Sequence, residues 1–210
     1  MSMFLGPLET LIIDIGGVIL TNGWDTACRK RAVAAFALDE KTVEGMHRLN
    51  FDSYERGLMT LEDYIKRVFF YTPQKFTHEE VLQFIFSQSQ PLQDMIDLIA
   101  QLKKKHHFKV YAISNEGREI MDYRAYTFNL RQFIDGFFVS GYLGRRKPDY
   151  DIFQLALDVT QADMRSTLYF DDRQPFVEVM QTFGIQSYQH TNFASTKEIL
   201  ESALNQVYLA

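Results

Sequence analysis

The chain predicts an α/β fold: a Rossmann-like parallel sheet core with an inserted all-helical cap. Two patterns carry this prediction. Short apolar runs alternate with longer stretches of helical periodicity, the order of a sheet covered on both faces and joined by crossover helices. Between residues 23 and 90, by contrast, no convincing strand occurs and every periodic stretch is helical.

The first strand is Thr10–Ile13, a β-rich run that ends in Asp-Ile-Gly-Gly. Further runs lie at 108–114, at 167–170 and, after Gly184, at 185–188, with a short apolar stretch at 137–139. Among the helical patterns, 92–105 sets Met95, Ile96, Ile99 and Leu102 on one face, and 150–159 does the same with Ile152, Phe153, Ala156 and Leu157. A helix over 175–183 opens with Pro175, where a missing N–H costs least. The last, 195–207, has Ser195 as its candidate N-cap, with Glu198 at capping-box spacing. The inserted block reads as helices over 25–38, 41–51, 61–71 and 77–87, the last with a capping-box pair in Thr77 and Glu80. The expected division is therefore a core of residues 1–22 and 91–210 and a helical cap of 23–90.

Bulk properties narrow the function. A chain of 210 residues suits one full domain with a modest insertion, and 46% hydrophobic residues suffice for a core without disulfides or structural metal. With 22 basic against 27 acidic residues the net charge is −5, which offers no electrostatic footprint for nucleic acid. The single cysteine, Cys28, excludes an intramolecular disulfide and fits a cytoplasmic location. It falls in a helical pattern and reads as a small buried hydrophobe. No secretory leader is expected. The apolar run 11–20 is interrupted by Asp14 and falls short of the roughly 20 residues of a spanning helix, so no membrane partner is expected either.

In open α/β sheets, ligands bind beyond the carboxyl ends of the strands. Asp14 stands at the end of the first strand, Ser114 closes the second, and Asp171 and Asp172 follow 167–170. Lys147 lies in the loop 141–148. Three carboxylates converging there repel one another, so a bound cation is implied.

These segments resemble, in order, the four motifs of the haloacid dehalogenase-like superfamily: LIIDIGGVIL, YAISN, GRRKPD and LYFDDRQPFVEVMQTFGI. The resemblance covers nearly the whole chain, and the helical block falls at that superfamily's first cap-insertion point. DIGGV and the cap segment YERG are most similar to the subgroup containing bacterial α-glucose-1-phosphate phosphatases. The resemblance implies a Mg²⁺-dependent phosphohydrolase acting on a small phosphorylated metabolite such as a sugar phosphate, as a monomer or homodimer. Asp14 would be the nucleophile, forming an aspartyl-phosphate. Mg²⁺ would be held by Asp14, the Gly16 carbonyl, Asp171 and Asp172, hard oxygen ligands of the kind it prefers. Ser114 and the backbone N–H of Asn115 would bind the phosphoryl oxygens, and Lys147 would neutralise their charge.

The pattern departs from the superfamily at two places. Gly16 occupies the position where most of its phosphatases carry a second aspartate that protonates the leaving oxygen, help typically worth about 10²–10⁴-fold. Phe176 replaces a polar residue that usually orients the lysine or the metal ligands. In the cap, residues 51–57 have the polar and aromatic mix of a substrate-contacting loop, with Arg56 as the candidate contact. Arg145 and Arg146 read as surface charges. Trp24, Phe69, Phe70 and Tyr71 read as cap core, and His78, His106, His107 and His190 show no metal-ligand spacing. Two other functions stay open. A 2-haloacid dehalogenase uses the same nucleophile without a metal; Gly16 favours it and the Asp171–Asp172 pair opposes it. A degenerate member would bind a phosphate ester or a protein without turnover.

Overall fold

The computed structural model describes residues 7–205. Five strands form one parallel sheet: β1 (Thr10–Ile13), β2 (Lys109–Ser114), β3 (Gly136–Val139), β4 (Thr167–Asp171) and β5 (Gln186–Gln189), in the order β3-β2-β1-β4-β5. The chain builds outward from β1 to β3, then returns to lay β4 and β5 on the other side of β1. The strand order therefore reverses at β1, and that switch point opens a crevice at the carboxyl ends of β1, β2 and β4.

Alternation along each strand divides the core. Leu11 and Ile13 join Val110, Ala112, Leu168 and Phe170 on one face, and Ile12 joins Ile113 and Tyr169 on the other. Both faces are dry because helices cover both. The helices in chain order are α1 (Thr26–Ala35), α2 (Glu40–Glu55), α3 (Leu61–Phe69), α4 (His78–Ser87), α5 (Gln93–His106), α6 (Arg118–Thr127), the short α7 (Ser140–Leu143), α8 (Tyr150–Thr160), α9 (Gln174–Thr182) and α10 (Phe193–Asn205). Met95 and Ile99 of α5, Met121 of α6 and Leu200 of α10 pack on the first face. Phe153 and Ala156 of α8 and Met180 of α9 pack on the second.

Helices α1–α4 enclose a core of their own around Val43, Leu61, Tyr64, Val68, Phe69 and Ile85, joined by Ile120 of α6. Each such side chain contributes about 1.5–3 kcal/mol when fully buried, so this block holds its shape through its own packing. Local signals set the helix ends. Asp25, Asp39, Thr60 and Thr77 cap α1 to α4, and the capping box of Thr77 and Glu80 forms as expected.

Three local expectations are corrected. The second cap helix does not stop near residue 51. It runs to Glu55, because nothing before Gly57 breaks it, and it ends when Gly57 adopts a φ of 69°. The Gly57 N–H then reaches the Tyr54 carbonyl and the Leu58 N–H the Ser53 carbonyl, the paired bonds of a Schellman stop. The last helix starts at Phe193, and Asn192, not Ser195, caps it by accepting the Ser195 N–H at 3.0 Å. The predicted end at residue 207 lies outside the described residues. Helix α6 has no counterpart in the sequence reading, because its buried face carries Arg124 beside Ile120, Met121 and Ala125 and so breaks the apolar stripe.

The two passages between sheet and inserted block run side by side. The Thr21 N–H meets the Gln90 carbonyl at 2.9 Å, the Leu92 N–H meets the Ile19 carbonyl at 2.9 Å, and Leu20 bridges Pro91. Arg124, 1% exposed, fastens both passages: it donates to Ser89 Oγ at 3.0 Å and to the Thr21 carbonyl.

Candidate active site

Asp14 follows β1 directly, and its backbone N–H still completes the ladder to the Phe170 carbonyl at 2.8 Å. Its side chain is thereby aimed into the crevice, with Oδ1 accepting the Ile15 N–H at 2.7 Å. The end of β4 brings Asp171 and Asp172 alongside. One ligand atom from each of the three carboxylates lies within 4.8 Å of the others. Gly17 makes this approach possible. It turns at a φ of 75°, and a Cβ there would overlap the Asp172 carboxylate.

The charges are only partly balanced within the protein. Lys147, 1% exposed, sets its ammonium 2.6 Å from Asp171 Oδ2 and 3.1 Å from Asp14 Oδ1. Burial pulls the ammonium down, but the two carboxylates outweigh it and hold the lysine above its ordinary value. Asp171 is fully engaged: Tyr169 Oη donates to Oδ2 at 2.5 Å and the Arg173 N–H to Oδ1 at 2.9 Å. Among the described residues Asp172 Oδ1 is buried with no hydrogen-bond partner, and burial and the neighbouring Asp171 raise its carboxyl. Asp14 is pushed up to about 6, chiefly by burial, with Lys147 pulling it down and Asp171 and Asp172 pushing it up. A buried, unpartnered carboxylate oxygen beside two further carboxylates is a donor set that fits a hard divalent cation.

Ser114 and Asn115 line the same pocket, with Ser114 3% exposed at the end of β2. The Asn115 side chain adds a role that the sequence did not suggest. Its amide clamps the Lys147 backbone reciprocally, Nδ2 to the carbonyl at 2.7 Å and Oδ1 from the N–H at 2.7 Å. Phe176 is not a gap either: its ring lies 5.0 Å from Lys147 Nζ, so a cation–π contact stands where a polar side chain was expected. Gly16 also lines the pocket, and a Cβ there would stand 2.9 Å from Asn22 Oδ1.

The cap closes the pocket with Trp24, Asp25, His47, Phe51, Tyr54 and Glu55. Arg56 is not among the lining residues. Its guanidinium turns outward to Asp52 at 3.1 Å, Asp149 at 2.8 Å and the Gly144 carbonyl at 3.2 Å, tying the end of α2 to the loop that carries Lys147. The reading of Arg146 as a surface charge is corrected. It lines the pocket, pairs with Glu55 at 2.6 Å and lies over the Phe51 ring at 5.2 Å. Arg145 does remain outside, half-exposed and paired with Asp151. Trp24 packs against the cap core as expected, and it also lines the pocket.

Glu116 went unnoticed in the sequence, although it directly follows the Ser-Asn pair. It is 6% exposed, lines the pocket, and accepts from Arg124 at 3.1 Å. Burial raises its carboxyl to about 7 even against the pull of Arg124.

The family model for haloacid dehalogenase-like hydrolases matches residues 8–182. The chain belongs to that family of hydrolases. A D-ribitol-5-phosphate phosphatase of Bacteroides thetaiotaomicron is 24% identical over 207 residues, covering 94% of this chain and 99% of the relative. A family enzyme from the same organism, solved as a complex with magnesium and inorganic phosphate, superposes with a TM-score of 0.73 at 21% identity, over 87% of this chain and 93% of that one. L-2-haloacid dehalogenase of Xanthobacter autotrophicus superposes with a TM-score of 0.61 at 14% identity, over 95% of this chain and 85% of that one, a likeness of fold.

Proposed function

We propose that this hydrolase is a Mg²⁺-dependent phosphatase of small phosphorylated metabolites of the sugar- or polyol-phosphate class. The observation that carries the reading is the carboxylate cluster of Asp14, Asp171 and Asp172 with a buried, unpartnered oxygen on Asp172. The similarity to a ribitol-phosphate phosphatase supports the substrate class. In this reading residues 23–90 are the cap and the remainder the catalytic core.

Asp14, Asp172 and the Gly16 carbonyl would hold the magnesium, with Asp171 beside them anchoring Lys147. When bound, the ion supplies positive charge against the phosphoryl oxygens. The residues of the chain do the rest. An Asp14 carboxylate oxygen attacks phosphorus, the P–O bond to the alcohol breaks, and an aspartyl-phosphate forms that water later hydrolyses. Ser114 Oγ, the Asn115 N–H and the Lys147 ammonium stabilise the charge on the transferring group. The departing alkoxide takes its proton from Glu116, which stands in for the carboxyl absent at Gly16. Burial keeps Glu116 protonated in a substantial fraction near neutral pH.

The test is phosphate release from a panel of esters with Mg²⁺ and with chelator, beside Asp14→Asn. Metal-dependent release that falls at least about 10³-fold in the variant is expected, the scale of losing an essential nucleophile. Chloride release from a 2-chloro acid in chelator, with no phosphate release from any ester, would replace this reading with the dehalogenase.

A further inference from the structure

The cap floor contains a three-member polar chain that the mechanism above does not use. Trp24 Nε1 lies 2.9 Å from Tyr64 Oη, and Tyr64 Oη lies 2.7 Å from His47 Nδ1. An indole N–H can only donate, so the Tyr64 oxygen accepts from Trp24. Tyr64 is fully buried, and among the described residues its own proton has no acceptor but His47 Nδ1. Leaving a buried hydroxyl proton unpaired costs about 1–3 kcal/mol, so the phenol donates to Nδ1. Nδ1 is then an acceptor, and the ring proton resides on Nε2.

His47 is also held in place. Its ring stacks on Phe51 with centroids 5.1 Å apart and meets the Tyr64 ring edge-on at 6.0 Å. Nδ1 faces the cap core, Nε2 has no protein partner among the described residues, and His47 lines the pocket that Asp14 also lines. Burial, together with the nearby Arg29, lowers the imidazole to about 4, so it does not charge near neutral pH. A fixed, uncharged donor on the cap side suits an alcohol oxygen better than a phosphate, which Lys147 and Ser114 already face.

We propose that His47 is a specificity-determining residue whose Nε2–H, locked in place by Trp24 and Tyr64, donates to a hydroxyl oxygen of the substrate's polyol or sugar portion. This rests on the phosphatase reading and deepens it.

The experiment has two arms on the intact protein. The first is nitrogen NMR of the labelled histidine rings. It should show the Nε2–H tautomer for His47 in the wild type and a mixture in Tyr64→Phe. An Nδ1–H tautomer in the wild type overturns the relay. The second arm compares kcat/KM for D-ribitol 5-phosphate and para-nitrophenyl phosphate in the presence of Mg²⁺. His47→Phe keeps the stacking and removes the donor. It should lose about threefold to tenfold on the ribitol ester, the scale of one neutral hydrogen bond, and less than about twofold on the aryl ester, which has no hydroxyl. His47→Gln, which retains an N–H donor, should recover much of that loss. Equal losses on both esters would mark His47 as structural and overturn the proposal, as would no loss on either. Failure of the wild type to hydrolyse either ester would instead sink the phosphatase reading, and the substrate assignment with it, while the tautomer result still judges the relay.

Discussion

At the scale of single residues, the site is arranged by competition for a few buried charges. Lys147 is shared by Asp14 and Asp171, and it is clamped through its backbone by Asn115. Phe176 then only has to fill space and offer its ring face. In the proposed mechanism Glu116 supplies the proton to the leaving oxygen. Its carboxyl is held up to about 7, so the protonated donor predominates below that pH and disappears above it. Hydrolysis of alkyl esters, which need a proton on the departing oxygen, is therefore expected to decline as pH rises through about 7. Glu116→Gln should slow alkyl esters by about 10²-fold or more while para-nitrophenyl phosphate, with its stable leaving group, falls far less. Equal losses on both substrates across the pH range would show that Glu116 acts only through its pairing with Arg124.

At the scale of elements, α2 does two jobs from its two ends. Its middle carries His47 into the pocket. Its C-terminus carries Glu55 and Arg56, which grip the loop around Lys147 through Arg146 and Asp149. The Arg56–Asp149 pair is part-exposed, and pairs of that kind contribute about 0–1 kcal/mol. Arg56→Ala should thus leave the thermal midpoint nearly unchanged and leave the ranking of substrates unchanged, while raising KM for all of them by a similar small factor. A change in substrate ranking would return Arg56 to the specificity role that its place in YERG suggested. Where the chain enters and leaves the cap, Arg124 joins both passages to Glu116, so the way into the cap and the pocket wall share one guanidinium.

At the scale of the whole molecule, three apolar clusters account for the architecture, one on each face of the sheet and one inside the cap. The carboxylate cluster works against that packing, since Asp14 and Asp172 are both raised above ordinary values by burial and mutual repulsion. A cation that binds only the folded chain relieves the repulsion. At about 100 times its Kd, Mg²⁺ should stabilise the fold by roughly 2.7 kcal/mol, read as a rise in the unfolding midpoint that chelator reverses. In Asp172→Ala the rise should vanish. A midpoint indifferent to Mg²⁺ in the wild type would argue that the cluster does not hold the ion.

Much of this was legible in the sequence, because strand-end residues are placed by local chemistry. A buried parallel strand reads as an unbroken apolar run, so Asp14, Ser114 and Asp171 announce themselves as the polar residues that end one, and the cap at Thr77 and the first-turn proline Pro175 read directly from their neighbours. Lys147 was legible only through its motif. The residues that went unread share a different property: their meaning lies in partners far along the chain. Arg124 carried no reading in the sequence, and it fastens Ser89, 35 residues away, and Thr21, 103 residues away. Arg146 looked solvated until Glu55 and Phe51 closed over it, and His47 had no signal at all without Trp24 and Tyr64. Sequence by itself determined the sheet, the insertion and the Asp14 end of the crevice, since periodicity and turn chemistry are local. Only the tertiary structure decided which residues share the pocket with Asp14, because burial, charge pairing and the position of a proton on an imidazole depend on which elements are packed together.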